Sequence, residues 1–192
     1  MTAALARVPI LAPAIRPAYF AHIVLYTARY EELIAWYRLV LGMEATVHLP
    51  GICALTFDDE HHRMAIVNRP GLADRPADTA GVAHFAYSYR TLDDLVATWE
   101  RLGLTGVMPY WEINHGPTTS LYYRDPDGNQ VELQVANFSS PAALNEWMSG
   151  GHFNANPIGR DIRFAELARR FRAGTPAAEL LRPFPDFAAA MP

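Results

Sequence analysis

An internal repeat limits the possible folds of this 192-residue chain more than any other feature. The segment AHIVL at 21–25 recurs as AHFAY at 83–87, and histidine holds the second place in both, as His22 and His84. Apolar runs of this length are typical of well-buried strands. Because a sequence repeat indicates a duplicated structural unit, the two halves have to be interpreted together.

A helical pattern follows each of these strands, over 30–37 in the first half and over 92–99 in the second. An acidic pair opens each pattern, where the helix dipole favours negative charge. Thr27 and Thr91 precede the two patterns and are predicted N-caps, because a threonine hydroxyl accepts hydrogen bonds from free backbone N–H groups. The acidic first turns and the predicted N-caps therefore both agree with a helix in each half.

Short strand patterns complete each half of the repeat. Gly42 and Gly103 follow the helices and are predicted to end them. The strands predicted after them lie near 43–49, 52–58 and 62–67 in the first half and near 107–112, 118–124 and 129–136 in the second. The sequence thus predicts an α+β protein with two tandem β-α-β-β-β modules.

The domain organisation follows from where the repeat begins and ends. The predicted parts are an N-terminal arm at 1–17, paired modules at 18–138 (18–67 and 82–138, with a linker at 68–81) and a C-terminal extension at 139–192. The linker is rich in Pro, Ala and Asp and has no periodicity, as expected of an exposed connection. Within the extension, helices are predicted at 141–148 and about 164–173.

Composition excludes several classes of function. Half of the residues are hydrophobic and 19% are charged, which is typical of a globular chain. A net charge of −4 gives no basic surface for nucleic acid, and no apolar segment approaches the roughly twenty residues that span a bilayer. The single Cys53 and an N-terminus unlike a secretory signal predict a cytoplasmic protein, and the small two-module chain with its apolar tail is expected to form a homo-oligomer.

The repeated histidines indicate a metal site. A single histidine on an apolar strand is more often a hydrogen-bonded core residue than a ligand. Two histidines at equivalent positions of a duplicated strand favour a ligand role instead, because pseudo-symmetric packing brings them towards a common axis. Glu132, which alternates with the apolar Val131 and Leu133 of the last strand, is the predicted third ligand, since a buried carboxylate needs a partner.

Two imidazoles and one carboxylate form the facial triad typical of non-haem Fe(II) oxygenases and leave further coordination positions open. Mn(II) and Zn(II) also accept these donors, so ligand type alone leaves the metal undecided. The sequence therefore predicts a divalent metal centre of His22, His84 and Glu132.

Other polar residues could act on a ligand of that metal. His61 and His62 open the last strand of the first half, His115 lies in a loop, and Tyr122 lies beside Tyr123 in a predicted strand. Each alone also suits an ordinary turn, loop or strand. Together they favour a functional role, because the repeat sets the strand that bears His62 opposite the strand that bears Glu132. His48 and His152 fit no part of the pattern and receive no role.

The duplicated unit with its His, His and Glu positions resembles the vicinal oxygen chelate superfamily, which includes glyoxalase I and the bleomycin-resistance proteins. This resemblance covers about 18–138 and implies one curved mixed sheet around a metal cleft. The strings DEHHRMAI at 59–66, NHGPTTSLYY at 114–123 and RDPDGNQVE at 124–132 resemble type I extradiol dioxygenases. They are most similar to the one-domain 2,3-dihydroxybiphenyl 1,2-dioxygenases, as are NPIG at 156–159 and RFRAG at 170–174.

The resemblance implies that His22, His84 and Glu132 bind Fe(II), that His62 is the acid-base residue, and that His115 and Tyr122 contact the oxygens of a catechol. The implied reaction cleaves the catechol ring with O2 beside the two hydroxyls. The stretch between His62 and His84 is longer than in the common two-domain enzymes. A glyoxalase-like isomerase or lyase, or a metabolite-binding module of the bleomycin-resistance kind, remains an alternative.

Overall fold

A computed structural model describes residues 15–76 and 78–184, so residues 1–14 of the predicted arm and 185–192 of the predicted extension lie outside it. The elements follow in the order β1 (Ile23–Thr27), α1 (Tyr30–Leu41), β2 (Glu44–Leu49), β3 (Ile52–Thr56), β4 (Met64–Asn68), β5 (His84–Tyr89), α2 (Leu92–Gly103), β6 (Trp111–Asn114), β7 (Thr118–Arg124), β8 (Gln130–Ala136), α3 (Pro141–Ser149), α4 (His152–Ala155), β9 (Arg160–Asp161), α5 (Phe164–Arg172) and α6 (Ala177–Leu180). The predicted α+β class and the duplicated β-α-β-β-β unit are confirmed.

The two modules pair their strands in the same way. The first forms a sheet of order β1-β4-β3-β2 and the second a sheet of order β5-β8-β7-β6-β9. In both, the first strand of the module lies parallel to its last strand, and the remaining pairs are antiparallel. Among the described residues the strands thus pair as two mixed sheets, with β1 and β5 each at an edge, rather than as one continuously hydrogen-bonded sheet.

Each sheet buries one face against its own helix. In β5, Phe85, Tyr87 and Tyr89 are partly buried and pack against the core, whereas the alternate residues are exposed. This alternation is the period-two pattern of a strand with one covered face. The covered faces of both sheets and the apolar stripes of α1 and α2 contribute to one core, whose fully buried members include Leu33, Tyr37, Met64, Leu95, Leu121 and Val131.

Polar contacts join the modules at the ends of their helices. The Tyr37 hydroxyl in α1 donates to Asp125 Oδ2 in the β7–β8 turn at 2.9 Å. Arg29 Nη1 lies 2.9 Å from Asp127 Oδ1 in the same turn, and Arg101 in α2 donates to the carbonyl of Leu39 in α1. These contacts fix the relative position of the two sheets.

Several local predictions require correction. Thr91 caps α2 in a reciprocal capping box with Asp94, as predicted, but the N-cap of α1 is Arg29 and has no side-chain bond. Thr27 is buried and its hydroxyl accepts from the Arg29 N–H instead. Gly42 ends α1 in the left-handed conformation as predicted, whereas Gly103 is the last helical residue of α2 and the cap is Leu104.

The strand predicted near 107–112 begins later, at Trp111. Pro109 lies inside the predicted range and has no N–H to give to a ladder, so regular pairing starts after it. The C-terminal extension is also more structured than its sequence indicated, because β9 pairs with β6 and extends the second sheet. None of the helices within 15–76 and 78–184 combines the length and apolar character that a membrane span requires.

Candidate active site

The open face of the second sheet carries a row of side chains at its centre. Glu132 in β8 pairs with Ala86 in β5 and with Tyr122 in β7, and Tyr122 pairs with Trp111 in β6. Residues directly opposite on adjacent strands point to the same face. The register therefore brings a carboxylate, a phenol and an indole together, while the neighbours of Glu132 in its own strand point into the core.

Glu132 lies at the centre of this row and is only 5% exposed. Its Oε2 atom is 3.0 Å from Nε2 of His84, and its Oε1 atom is 4.0 Å from Nε2 of His115. A buried carboxylate is costly unless hydrogen-bond donors or cations compensate it. The two imidazoles are therefore the natural neighbours of this group, and imidazole nitrogens are of a type that can also bind a metal.

Tyr122 and His115 lie side by side next to that carboxylate. His115 Nε2 is 3.0 Å from the Tyr122 hydroxyl oxygen. Tyr122 is 3% exposed, and burial, followed by the negative charge of Glu132, raises its pKa. The phenol is therefore protonated at neutral pH and can donate one hydrogen bond. Trp111 covers the pair from the side, with its ring centroid 4.7 Å from that of Tyr122.

His22 and His62 lie together on the first module. Their ring centroids are 4.4 Å apart, and His61 Nδ1 approaches His62 Nδ1 at 2.9 Å. Burial, followed by the nearby His22 and His61, lowers the pKa of His62. Its imidazole is consequently neutral near pH 7 and able to accept a proton.

The described side chains thus form two groups, His84 with Glu132, His115 and Tyr122 on one module, and His22 with His62 on the other. No set of three or more His, Cys, Asp or Glu side chains within the described ranges is arranged around a common point as a metal site would be. The donor chemistry nevertheless fits a divalent cation, because His84 is half-exposed and the buried carboxylate of Glu132 is paired with the imidazoles of His84 and His115. The assignment of His22, His84 and Glu132 as ligands stays a prediction.

An aromatic cavity of about 340 Å³ lies in the gap between the edge strands β1 and β5. Phe20, Phe57 and Tyr87 line it together with Arg63. Ala86 also lines it and is the β5 partner of Glu132. Its lining includes neither the predicted ligands nor His62, His115 and Tyr122, and its Phe85 and Tyr87 lie on the covered face of β5, opposite to Ala86.

Two contributors to this site were missed from the sequence. Trp111 is an aromatic residue in a predicted strand, and its place in the row could have been found by aligning the three strands around Tyr122. Ile158, whose backbone carbonyl approaches Nδ1 of His115, carries no such signal. A backbone carbonyl is present in every residue, so only the folded chain identifies it.

The chain thus consists of two paired β-α-β-β-β modules. A histidine lies at the start of the first strand of each module, and a carboxylate lies in the last strand of the second. These features define the class of paired-module proteins to which the chain conforms. The family model of the Glyoxalase/Bleomycin resistance protein/Dioxygenase superfamily matches residues 19–133, and the chain belongs to that family.

Individual relatives extend this match. The chain is 44% identical over 158 residues to biphenyl-2,3-diol 1,2-dioxygenase 2 of Rhodococcus globerulus, covering 82% of this chain and 83% of that protein. It is 42% identical over 162 residues to biphenyl-2,3-diol 1,2-dioxygenase 3 of the same organism, covering 83% and 85%. A glyoxylase/bleomycin resistance protein/dioxygenase domain from Frankia sp. EAN1pec superposes with a TM-score of 0.56 at 17% identity, covering 65% of this chain and 96% of that domain. This last likeness concerns the fold alone.

Proposed function

We propose that this protein is an extradiol dioxygenase that opens the ring of a catechol with O2. The substrate is a 3-substituted catechol such as 2,3-dihydroxybiphenyl, and both atoms of O2 enter a muconic semialdehyde-type product. The observation that carries the proposal is the 44% identity, over most of both chains, to a protein named biphenyl-2,3-diol 1,2-dioxygenase.

In this proposal His22, His84 and Glu132 hold one Fe(II), with Mn(II) as the alternative metal. Bound by these residues, the ion would supply open coordination positions and redox chemistry for a catechol and O2. The burial of Glu132 supports this assignment, since a bound metal would supply positive charge beside a carboxylate that is paired with two imidazoles.

The protein groups around the ligand have separate tasks. Tyr122 keeps its proton because its pKa is raised, so it can donate a hydrogen bond to a catechol oxygen that has lost its proton. Hydrogen bonds to a charged oxygen are stronger than those between neutral groups. Tyr122 therefore favours the bound anion, and the adjacent His115 helps to fix its orientation.

His62 is proposed as the acid-base residue. Its lowered pKa leaves the ring neutral near pH 7, which suits a group that first accepts a proton from the substrate and later returns it. The His62 ring lies against the ring of His22. This position supports the role, because the proton would be exchanged beside a proposed metal ligand rather than with bulk solvent.

A glyoxalase-like isomerase or lyase is less well supported. Enzymes of that type commonly take a fourth protein ligand from the first module. The first-module position that corresponds to Glu132 is Ala65, which pairs with Val24 as Glu132 pairs with Ala86. An alanine side chain supplies no ligand, so His62 would have to fill that role. A binding module without metal would have no need for the buried carboxylate of Glu132.

The experiment that tests the proposal compares wild type with Glu132→Ala. Anaerobically iron-loaded wild type should consume O2 with 2,3-dihydroxybiphenyl and form a yellow product, whereas Glu132→Ala should lose bound iron and show background activity. Glu146→Ala, on the exposed face of α3, removes the same charge elsewhere and should retain both. Full activity in Glu132→Ala would contradict the metal assignment, and an inactive wild type with every catechol tried would contradict the function.

We also propose that the chain works in the cytoplasm as a homo-oligomer. Exposed apolar side chains on the β2–β3 hairpin, Leu49 at 56% and Ile52 at 41%, support association. The single Cys53 is free and buried, which suits a reducing compartment. Sedimentation velocity of the purified protein would test the oligomer.

A further inference from the structure

We infer that the turn at 156–159 in the C-terminal extension is a positioning element of the active site that fixes the tautomer of His115. The inference rests on the proposed function, in which His115 contacts the substrate. The Ile158 carbonyl holds the proton of His115 on Nδ1, so that the lone pair of Nε2 faces the cleft.

The hydrogen bonds of the imidazole carry this inference. His115 Nδ1 lies at hydrogen-bond distance, 2.5 Å, from the carbonyl oxygen of Ile158. A carbonyl oxygen only accepts, and a neutral imidazole has one N–H and one lone pair. In the neutral ring the N–H is therefore on Nδ1, and Nε2 accepts. The Tyr122 hydroxyl lies 3.0 Å from Nε2 and is also hydrogen-bonded to Glu132, so its proton is shared between these two acceptors.

The turn is built to bring this carbonyl close to His115. The Asn156 side chain spans it, because Nδ2 donates to the Gly159 carbonyl at 2.8 Å and Oδ1 accepts from the Gly159 N–H at 2.9 Å. Gly159 has φ +108°, a conformation that other residues rarely adopt. A Cβ atom on it would lie 2.2 Å from the Asn114 carbonyl oxygen and 2.7 Å from His115 Cα. The turn and the His115 backbone thus touch.

Other parts of the extension hold the loop that carries His115. The Trp147 ring of α3 covers Gly116, where an added Cβ would lie 2.4 Å from the ring. Asn114 Nδ2 donates to the Arg182 carbonyl at 2.9 Å. The loop on both sides of His115 is therefore packed against the extension and not only against its own sheet.

The comparisons agree with a role of the extension in this site. The Frankia domain is covered almost completely and yet matches only 65% of this chain, so much of the extension lies beyond the common fold. The two relatives named as dioxygenases match 82% and 83% of the chain. Residues 1–138 make up less than three quarters of it, so both alignments reach into the extension.

The tautomer gives His115 and Tyr122 different hydrogen-bonding roles. With its lone pair directed into the cleft, Nε2 of His115 receives a hydrogen bond, either from Tyr122 or from a hydroxyl of the substrate. Donation to a deprotonated catechol oxygen is then the task of Tyr122. If the tautomer were reversed, Nε2 would present an N–H to the cleft, and no imidazole lone pair would be there to accept the hydroxyl proton.

The direct test is nitrogen-15 NMR of the imidazoles in the full-length protein, metal-free and loaded with diamagnetic Zn(II). The signals of His115 are assigned by their absence in His115→Gln. The expected spectrum shows His115 with its proton on Nδ1 and a bare Nε2. A proton on Nε2, or on both nitrogens, at neutral pH would overturn the inference without any variant of the turn.

A pair of asparagine variants tests the turn itself. Asn156→Ala removes both bonds to Gly159 and should give mixed tautomers of His115 and a roughly tenfold lower kcat/KM for the catechol, while iron content stays at the wild-type level. Asn154→Ala, an exposed position on α4, should match wild type in each readout. An unchanged tautomer and kcat/KM in a folded Asn156→Ala protein would overturn the role of the turn. If wild type shows the Nδ1–H tautomer but no dioxygenase activity, the proposed function fails while the geometry of the turn stands.

Discussion

At the scale of single residues, the site depends on how a few side chains are distributed between the two modules. Glu132 and His84 share one sheet and lie in contact, while His22 packs against His62 on the other module. The proposed metal would bridge these groups. The carboxylate is buried before any ion is considered, so its environment already favours a cation.

The first residue-scale prediction concerns His62. His62→Gln keeps a polar side chain of similar length but cannot exchange a proton near neutral pH, so we expect kcat to fall by about 10²–10⁴-fold while iron content and catechol affinity stay near wild type. Steady-state oxygen consumption and anaerobic substrate titration measure the two quantities.

His48→Gln is the matched control for this change. His48 is half-exposed and faces Glu31 on the helix side of β2, away from the proposed ligands, so the variant should retain wild-type kcat. Loss of iron from His62→Gln would instead make His62 a fourth ligand and contradict its role as an acid-base residue.

At the scale of elements, the second sheet is joined to the extension by a partly buried carboxylate. Glu112 in β6 accepts a hydrogen bond from the Phe164 N–H at 2.7 Å and thereby caps α5, whose N-cap Arg163 makes no side-chain bond. Burial raises the pKa of Glu112 above its ordinary value of 4.5, although the Phe164 N–H opposes the shift. The strand and the helix are thus coupled through one ionisable group.

This coupling predicts a pH dependence of stability. Because the folded pKa of Glu112 is raised, the native state binds its proton more tightly than the unfolded chain, and the stabilising contribution of this group is lost as pH rises from about 4.5 through the folded pKa. Glu112→Gln retains an acceptor but cannot ionise. Its free energy of unfolding relative to wild type should therefore rise over this interval and level off above it, in urea titrations at several pH values. A difference that does not vary with pH would contradict the raised pKa.

At the scale of the whole molecule, the relation between the modules is set by few polar contacts over a shared core. The Tyr37 hydroxyl reaches Asp125 Oδ2 from the opposite module, and both groups are buried. A buried hydrogen bond to a charged group contributes more than one between neutral groups. This contact therefore helps to fix the two sheets relative to each other and, with them, the proposed ligands.

The whole-molecule prediction is that Tyr37→Phe lowers the free energy of unfolding by about 1–3 kcal/mol, because the Asp125 carboxylate loses a partner while the ring volume stays the same. Urea denaturation measures the change. Tyr26→Phe, at a position that is 58% exposed, should lie within about 0.5 kcal/mol of wild type. Equal stability of Tyr37→Phe and Tyr26→Phe would show that the contact does not couple the modules.

Local patterns in the sequence were sufficient for the repeated modules and most of their elements. The period-two strands, the Thr91 cap and Gly42 depend on neighbours in the chain, and the equivalence of His22 and His84 depends only on the repeat. The displaced start of β6 at Trp111 follows from Pro109, a local signal that the prediction overlooked. The uncapped start of α1 at Arg29 was missed because it depends on the burial of Thr27.

The sequence by itself determined the residue types of the proposed centre, since repetition marks the two histidines and strand alternation marks Glu132. Only the tertiary structure decided which of them are neighbours and what else touches them. The contact of His115 with the Ile158 carbonyl joins residues 43 positions apart through a backbone atom. No pattern of side chains encodes such a contact, because it exists only when the extension has folded onto the second sheet.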